Sequence, residues 1–269
     1  MSAMDLLKRK LAPVLPEAWK LIDDEAARVL RLHLAGRKLV DFQGPHGWKF
    51  AAVNTGRLDL LERGADPDVN IGVRRVQPLI EVRLPIHLSI MELDSVARGA
   101  ENPELTPVVK AAEKAARVED DAIFNGLGSA HIAGIIPSSP HAPLPMPSDP
   151  RQLPREILRA KEILRRAGIN GPYALVLGAD AYEKVFAAAE EGYPLAKRIE
   201  QLVDHPIVRA SAVKGGVLLS LRGGDYELVV GQDLSIGYAF HEKHQVELYL
   251  TESFTFQILE PAAAVAISG

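Results

Sequence analysis

The stretch RGGDYELVVGQDLSIGY, Arg222 to Tyr238, indicates the fold class, because glycines divide it into two runs of mainly apolar residues. Short apolar runs bounded by Gly and Asp predict strands joined by tight turns, here a strand from Tyr226 to Val230 after the turn RGGD. Val217 to Leu221 precedes the stretch as a further strand, and Val246 to Ile258 follows it with alternating apolar and polar residues. The stretch contains no nucleophile, no metal-ligand cluster and no phosphate-binding loop, so it predicts a structural sheet.

Two long amphipathic helices are predicted in the N-terminal half of the chain. The first lies between Pro16, which suits a helix start, and Gly36, which suits a position just past a helix end. Its apolar residues recur at a spacing of three and four, which places them on one core-facing side. These residues are Trp19, Ile22, Ala26, Val29 and Leu30. The second and longest helix is predicted from Pro103 to Phe124, with Gly126 as its C-cap.

A long hairpin is predicted between these helices. Residues Arg57 to Leu60 and Ile80 to Leu84 alternate polar and apolar side chains, as strands with one wet face do. The segment Glu62 to Asp68 reads as the turn between them, and Met91 to Arg98 as a short helix that follows. Because a two-stranded hairpin is marginal alone in water, this one needs another surface to cover it.

A second lobe of alternating helices and strands is predicted after a proline-rich segment. The six prolines between Pro137 and Pro150 remove backbone donors, and the segment is interpreted as a linker between lobes. Beyond it we expect a helix around Leu164, a strand from Tyr173 to Leu177, a helix around Tyr182 and another from Leu195 to Val203. This alternation is typical of α/β structure.

Composition excludes several classes of function. The chain has 269 residues, with 47% hydrophobic and 25% charged, which is typical of soluble globular proteins. A net charge of -4 and a pI near 6.1 provide no basic field for nucleic acid. No apolar run approaches the roughly 20 residues needed to span a bilayer, and no signal peptide is recognisable, so we expect a cytoplasmic protein. The absence of Cys excludes disulfides and thiolate catalysis.

No residue set predicts a catalytic or metal site. His241 and His244 are close together, but they have no third ligand nearby and are predicted to lie in a solvated connection. Residues 119–121 are all acidic and predict a solvated or salt-bridged helix face. Residues 126–130 contain G-x-G but follow a helix, whereas a dinucleotide loop follows a strand. The remaining hypothesis is assembly, in which uncovered surface is buried against further copies of the chain.

Five segments closely resemble the encapsulin shell proteins of type 1, also called the linocin-like family. They are LAGRKLVDFQGPHGW (34–48), MELDSVARGA (91–100), ARVEDDAIFNG (116–126), GGDYELVVGQDLSIGY (223–238) and LYLTESFTFQ (248–257). The resemblance implies an α+β protein with the HK97 phage-capsid-like fold, which has a peripheral P-domain, an extended E-loop and an axial A-domain. The implied divisions are residues 1–48, 84–136 and 223–269 for the P-domain, 49–83 for the E-loop hairpin, and 137–222 for the A-domain.

The resemblance also implies the function. Members of the family are structural shell subunits and not enzymes, and they assemble into icosahedral encapsulin nanocompartments. For a chain of this length the implied particle has about 60 subunits, a T=1 shell. The enclosed cargo enzyme carries a targeting peptide, and it is commonly a dye-decolorising peroxidase or a ferritin-like protein.

Two sites follow from matching family motifs. For the cargo peptide, Arg37 and Asp41 are implied as charged partners and Asp233 as a further one, with apolar anchors at Val29, Leu30 and Leu34. The alternative is that Arg37 and Asp41 form an ordinary pair within the chain and that the apolar residues are core. For the fivefold pore, the implied loop is Glu190, Glu191, Gly192 and Tyr193, whose carboxylates would favour cation entry. The alternative there is a solvated helix end capped by Gly192.

One departure bears on cofactors. Some relatives bind flavin through a tryptophan at the position of Met91, so the aromatic platform is missing and no cofactor is expected. Met91 is predicted to fill an apolar gap instead. Two rival functions stay open: a prophage major capsid protein, which the weak charge disfavours, and a protease or bacteriocin, for which no nucleophile and base are recognisable.

Overall fold

In a computed structural model, the described residues are 6–61, 69–190 and 192–268. The helices are α1 (Pro16–His33), α2 (Ile90–Ala97), α3 (Thr106–Phe124), α4 (Ile135–Ser138), α5 (Leu153–Arg166), α6 (Ala179–Ala187) and α7 (Leu195–Glu200). The strands are β1 (Asp41–Gln43), β2 (Ala52–Leu60), β3 (Gly72–Pro78), β4 (Ile80–Ser89), β5 (Gly126–Leu127), β6 (Ile132–Ala133), β7 (Leu144–Pro145), β8 (Tyr173–Leu177), β9 (Ala189–Glu190), β10 (Tyr193–Pro194), β11 (Val208–Arg209), β12 (Gly216–Ser220), β13 (Tyr226–Val230), β14 (Ser235–His241), β15 (Gln245–Ile258) and β16 (Ala264–Ser268).

The first sheet is built around β15, the longest described strand. It pairs antiparallel with β13, β14 and β4, and β1 adds to β13 in parallel. The helices α1 and α3 pack together and against this sheet. Four alanines of α3, at positions 111, 112, 115 and 116, are buried at that contact, and their small side chains allow the two helices to approach closely. The predicted stripe of α1 lies in this core, and Pro16 is its first residue, as expected.

The second sheet has the order β11-β8-β12-β16-β7 and shares a core with α5, α6 and α7. It is called the A-domain sheet below, because four of its five strands lie in the segment for which the resemblance implies an A-domain. Every residue of β8 and β12 is buried, which explains why both read as continuous apolar runs in the sequence. The prediction of a strand at Tyr173–Leu177 is confirmed residue for residue.

One prediction about this sheet is wrong. The proline-rich segment 137–150 is more than a linker, because it contributes α4 and the edge strand β7, whose Leu144 is buried. Proline restricts only its own backbone donor, and an edge strand tolerates that loss. The domain bounds stay an expectation. Within them, β16 lies at the end of the segment expected to be P-domain and inserts between β12 and β7 of the A-domain sheet.

The predicted hairpin has a different pairing. Strand β2 pairs with β3, and residues 80–84 belong to β4, which pairs with β15 in the first sheet. Alternation of polar and apolar residues indicates which face of a strand is exposed to solvent. It does not indicate which strand lies beside it, and this is why residues 80–84 were assigned the wrong partner. The predicted turn, residues 62–68, lies outside the described residues.

Candidate functional site

A buried cluster of charged side chains joins four separate parts of the chain. Arg37 lies in a 3-10 turn, Gly36–Lys38, that follows α1. Its guanidinium donates to Glu119 Oε2 from Nε at 2.8 Å and from Nη2 at 2.7 Å, to Glu252 Oε1 at 2.5 Å, and to Asp233 Oδ1 at 2.9 Å. The side chains of Glu119 and Glu252 are 0% and 2% exposed, whereas that of Asp233 is 40% exposed.

The cluster has three carboxylates and one cation, and this composition shifts the pKa values of its members. Burial, followed by the neighbouring Glu119, raises the pKa of Glu252 well above its usual range. Burial by itself would lower the pKa of Arg37, but its bonds to Glu119 and the charges of Glu252 and Asp233 raise it instead. Arg37 is therefore charged, and both burial and the neighbouring Glu119 disfavour the charged form of Glu252.

Asp120, the neighbour of Glu119, holds the 3-10 turn in place. Its two carboxyl oxygens accept from the backbone N–H of Ala35 at 3.1 Å and of Gly36 at 2.8 Å. Burial raises the pKa of Asp120 to about 7, despite these two donors, which lower it. A Cβ on Gly36 would meet Ile123 Cδ1 at 2.4 Å, so a larger residue here would require the buried Ile123 side chain to shift. The acidic residues predicted to form a solvated or salt-bridged helix face are therefore not solvated at Glu119 and Asp120, which are buried. Glu119 forms a salt bridge with Arg37.

The residues predicted to bind a cargo peptide lie close together but in different environments. Asp41 does not pair with Arg37, since its carboxylate accepts from the backbone N–H of Gly224 at 2.5 Å. Val29 and Leu34 are buried in the core, at 2% and 7% exposure. Leu30 is half-buried at the edge of that core.

Leu30 lines a groove that the sequence did not indicate. The groove has a volume of about 280 Å³ and lies between α1 and the start of β14. Leu7, Ala27, Leu30 and Leu234 supply its apolar lining, and Arg9 and Asp23 are also part of its wall. The half-exposed carboxylate of Asp233 is adjacent in sequence to Leu234, so an apolar groove and an anionic group lie side by side.

The β2–β3 hairpin exposes apolar side chains over most of its length. Leu58 is 59% exposed, Leu60 74%, Val73 53% and Val76 45%. A charged pair between Arg75 and Asp59 crosses the two strands on the surface. Apolar surface of this extent on a thin element is typical of a contact with another chain.

The loop predicted for the fivefold pore forms a short hairpin. Strand β9, Ala189–Glu190, pairs with β10, Tyr193–Pro194, and Gly192 between them has a φ of +82°. Because α6 ends at Ala187, Gly192 does not cap a helix. Tyr193 is 48% exposed, and its hydroxyl oxygen accepts from Gln201 Nε2 at 3.3 Å. Glu191 lies outside the described residues.

The expected role of Met91 is wrong. Its side chain is 69% exposed at the start of α2, so it fills no apolar gap. Within residues 6–61, 69–190 and 192–268, no group of three or more His, Cys, Asp and Glu side chains is arranged to hold a metal ion. None of the helices in the same residues is long and apolar enough to cross a membrane.

Comparison with solved structures identifies the class of protein. The virus-like particle protein of Pyrococcus furiosus superposes with a TM-score of 0.68 at 15% identity, covering 93% of this chain and 99% of that one. The capsid protein of a gene-transfer-agent (GTA) particle superposes with a TM-score of 0.54 over 88% of this chain and 90% of that one. The fold is therefore the HK97-like capsid fold.

The sequence comparisons identify the family. Residues 4–255 match the family described as encapsulating protein for peroxidase. The type 1 encapsulin shell protein of Rhodospirillum rubrum is 42% identical, over 99% of this chain and 97% of the relative, and that of Mycolicibacterium paratuberculosis is 44% identical, over 98% and 100%. The chain belongs to the family of type 1 encapsulin shell proteins. It is a structural shell subunit that assembles with copies of itself, and it is not an enzyme.

Proposed function

We propose that about 60 copies of this chain close into an icosahedral shell in the cytoplasm, and that the shell encloses an enzyme bearing a targeting peptide. The family description supports a peroxidase as that enzyme. A dye-decolorising peroxidase is the first candidate, and a ferritin-like protein is the second.

The exposed apolar side chains of the β2–β3 hairpin are the main support for the proposal that copies of the chain close into a shell. Neither face of the β2–β3 pair is covered along Leu58, Leu60, Val73 and Val76, and transfer of such surface from water stabilises a contact by about 25 cal/mol per Å². A closed point-group assembly covers this surface on every copy and leaves no free strand edge for uncontrolled pairing.

Electron microscopy of purified particles, followed by mass spectrometry of their contents, tests the proposal. We expect hollow particles of uniform diameter with a mass near 60 subunits, and a peroxidase or ferritin-like protein within them. A stable single chain that never forms hollow particles would contradict the proposal. Nucleic acid as the main content would support a capsid in its place.

For cargo capture we propose the groove between α1 and β14. A peptide with apolar side chains would place them against Leu30 and Leu234, and a cationic residue of the peptide would pair with Asp233. Arg37 would act indirectly, because its donors already bind Glu119, Glu252 and Asp233 and so fix the position of the Asp233 carboxylate.

Two leucines of the same helix provide a matched test of the groove. Leu30→Asp places a charge in the groove, and we expect at least about tenfold less cargo per shell because a carboxylate is poorly solvated there. Leu32→Asp is the control, since Leu32 is 67% exposed and lies outside the groove. Cargo is quantified by mass spectrometry of purified shells. Full loading of the Leu30→Asp shell would exclude the groove as the docking site.

For the fivefold pore we propose the turn between β9 and β10. In a fivefold arrangement, the two glutamates at 190 and 191 would repeat around the axis and would favour cations over anions. Glu191→Gln should speed uptake of an anionic probe and leave uptake of a neutral probe of equal size unchanged. Equal rates for the anionic probe before and after the substitution would exclude this loop.

We also propose that the shell carries no flavin at Met91. An exposed thioether chain provides no aromatic face for stacking on an isoalloxazine ring. The absorbance spectrum of purified shells between 350 and 500 nm checks this, and a flavin spectrum that Met91→Ala abolishes would contradict it.

A further inference from the structure

A second cleft lies at the junction between α1 and the A-domain. It has a volume of about 390 Å³. One wall is formed by His33, the last residue of α1, and by Lys38 of the 3-10 turn. The opposite wall is formed by Tyr182 of α6 and by residues 205–211, which include β11. These residues are separate from the groove beside Leu30 and from the hairpin.

The described residues that line this cleft include four basic side chains and no carboxylate. The basic residues are His33, Lys38, His205 and Arg209. Two carboxylates approach from outside the lining: Glu113 Oε1 lies 3.9 Å from His33 Nε2, and Glu183 Oε1 lies 3.8 Å from Arg209 Nη2. Both distances exceed a hydrogen bond, so these ion pairs leave donors of the basic residues available.

The other carboxylate near Lys38 is already occupied. Asp120 accepts from two backbone N–H groups and is buried beneath the 3-10 turn, whereas Lys38 itself is exposed. On the opposite wall, His205 Nδ1 lies 2.9 Å from the carbonyl oxygen of Pro206. Because a carbonyl oxygen can only accept, Nδ1 carries the proton, and Nε2 faces a ligand as a donor only in the charged imidazole.

Apolar and aromatic side chains complete the cleft. Leu32 lines it at 67% exposure, and Ile207 lies on the other side. The ring of Tyr182 stacks on that of Phe186, with centroids 4.2 Å apart, and this holds the Tyr182 ring in place. A site with cationic donors on two walls and apolar surface beside them suits a ligand that has both an anionic and a carbon part.

We propose that this cleft binds a small organic phosphate. A phosphate group presents three acceptor oxygens, which Lys38, Arg209 and a histidine can approach from opposite walls. The carbon part of the ligand contacts Leu32 and Ile207. Because one wall belongs to α1 and the other to the A-domain, a bound phosphate links the two and restrains their relative motion.

Phenyl phosphate is the probe, because it combines a phosphate with an apolar ring and is small enough for the cleft. It is titrated by calorimetry into assembled wild-type shells. We expect saturable binding at one site per subunit, and about tenfold weaker binding of inorganic phosphate, which has no ring to bury. Lys38→Ala and Arg209→Ala should each weaken phenyl phosphate binding at least about tenfold, since each removes a charge-assisted hydrogen bond.

The control is Lys214→Ala, which removes an exposed lysine of the same domain that does not line the cleft. It should leave the affinity unchanged. Equal weakening by Lys214→Ala, equal affinity for inorganic phosphate, or the absence of saturable binding would overturn the proposal.

A second measurement needs no variant. Amide hydrogen exchange is followed on wild-type shells with and without phenyl phosphate. Slower exchange confined to residues 33–38 and 205–211 is expected, because these segments form the two walls. Unchanged exchange in both segments at saturating phenyl phosphate would overturn the proposal.

Discussion

Two antiparallel strand pairs of similar length have opposite environments in this molecule. The β4–β15 pair has ten residue partners in register and buries Ile86, Leu88, Leu248 and Leu250 beneath α1 and α3. The β2–β3 pair has seven partners and leaves Leu58, Leu60, Val73 and Val76 about half exposed or more. The chain thus covers one ladder with its own helices and leaves the other exposed, and the proposed shell would cover it with a neighbouring copy.

The comparison separates two sources of stability. The β4–β15 ladder contributes to the free energy of unfolding of the single subunit, because its apolar side chains leave water when the chain folds. In the proposed shell the β2–β3 ladder would contribute when copies associate, because its side chains would leave water only then. Four variants follow, ordered by the expected change in the free energy of unfolding of the subunit. The first and the last, a double variant, test this separation, and the two between them probe buried polar groups of the subunit.

Removal of a core ring from β15 should have the largest effect. Phe254 is 0% exposed, and Phe254→Ala should lower the free energy of unfolding by about 3–5 kcal/mol through lost burial and the cavity left behind. Phe240→Ala is the control, since Phe240 on β14 is 50% exposed and should cost about 1 kcal/mol or less. Urea unfolding, monitored by circular dichroism, measures the free energy of unfolding of both variants. Equal losses in the two would contradict the view that burial in the β4–β15 ladder stabilises the subunit.

The buried acid under the 3-10 turn should make stability depend on pH. The pKa of Asp120 is about 7 in the folded chain against 3.8 for the free side chain, so only the folded state holds this proton between those values. Stability therefore falls as pH rises from about 4 to about 7 and then levels off. The contribution is about 2–4 kcal/mol, and Glu252 acts in the same direction.

Asp120→Asn should remove this contribution, because an amide does not titrate. Asp121→Asn is the matched control, since the side chain of Asp121 is 47% exposed. The difference in the free energy of unfolding between pH 5 and pH 8 is compared for the three proteins. If Asp120→Asn shows the same pH dependence as the wild type, the raised pKa of Asp120 is excluded.

A buried hydroxyl in β13 should lower the free energy of unfolding slightly, so its removal should stabilise the subunit. Among the described residues, the Tyr226 hydroxyl has no hydrogen-bond partner, although the residue is 2% exposed. Tyr226→Phe should therefore stabilise the subunit by about 1 kcal/mol, since an unsatisfied buried polar group is removed. Tyr238→Phe should not, because the Tyr238 hydroxyl bonds to His241 Nδ1 at 2.6 Å. Thermal unfolding of both variants checks this, and destabilisation by Tyr226→Phe would indicate a missed partner.

Polar substitutions on the hairpin should change the unfolding of the subunit least. Leu58→Ser together with Leu60→Ser should alter its free energy of unfolding by less than about 0.5 kcal/mol per residue, because both side chains are already exposed. The same double variant should reduce the fraction of chains in particles at least about tenfold, as measured by light scattering. Normal assembly of this variant would show that the hairpin contacts no other copy.

Local structure was predictable from sequence where turn residues or polar and apolar alternation marked the element. The strand at Tyr226–Val230 is confirmed at both ends, because turn residues bound it. The proline pattern at 137–150 was misleading, since the buried Leu144 between prolines is the residue that places β7 in the sheet. For the strand at 80–84, the alternation identified the strand and left its partner open.

Long-range partners were not predictable from spacing. Arg37 binds Glu119, Asp233 and Glu252, which are 82, 196 and 215 residues away in sequence. One signal existed for Glu119 and Asp120: they continue the buried row of Ala112, Ala115 and Ala116 at helical spacing. Acidic residues on the core side of a helix indicate buried partners elsewhere in the chain.

The position of β16 sets the order in which this chain can finish folding. Residues 264–268 lie between β12 and β7, so the A-domain sheet stays split in two until the ribosome has released this segment. Earlier parts of the chain, including α1, α3 and β15, can pack beforehand. Chains that stop short of residue 264 would keep the apolar edges of β12 and β7 open, and they would be sorted for degradation or aggregation before they could enter a particle.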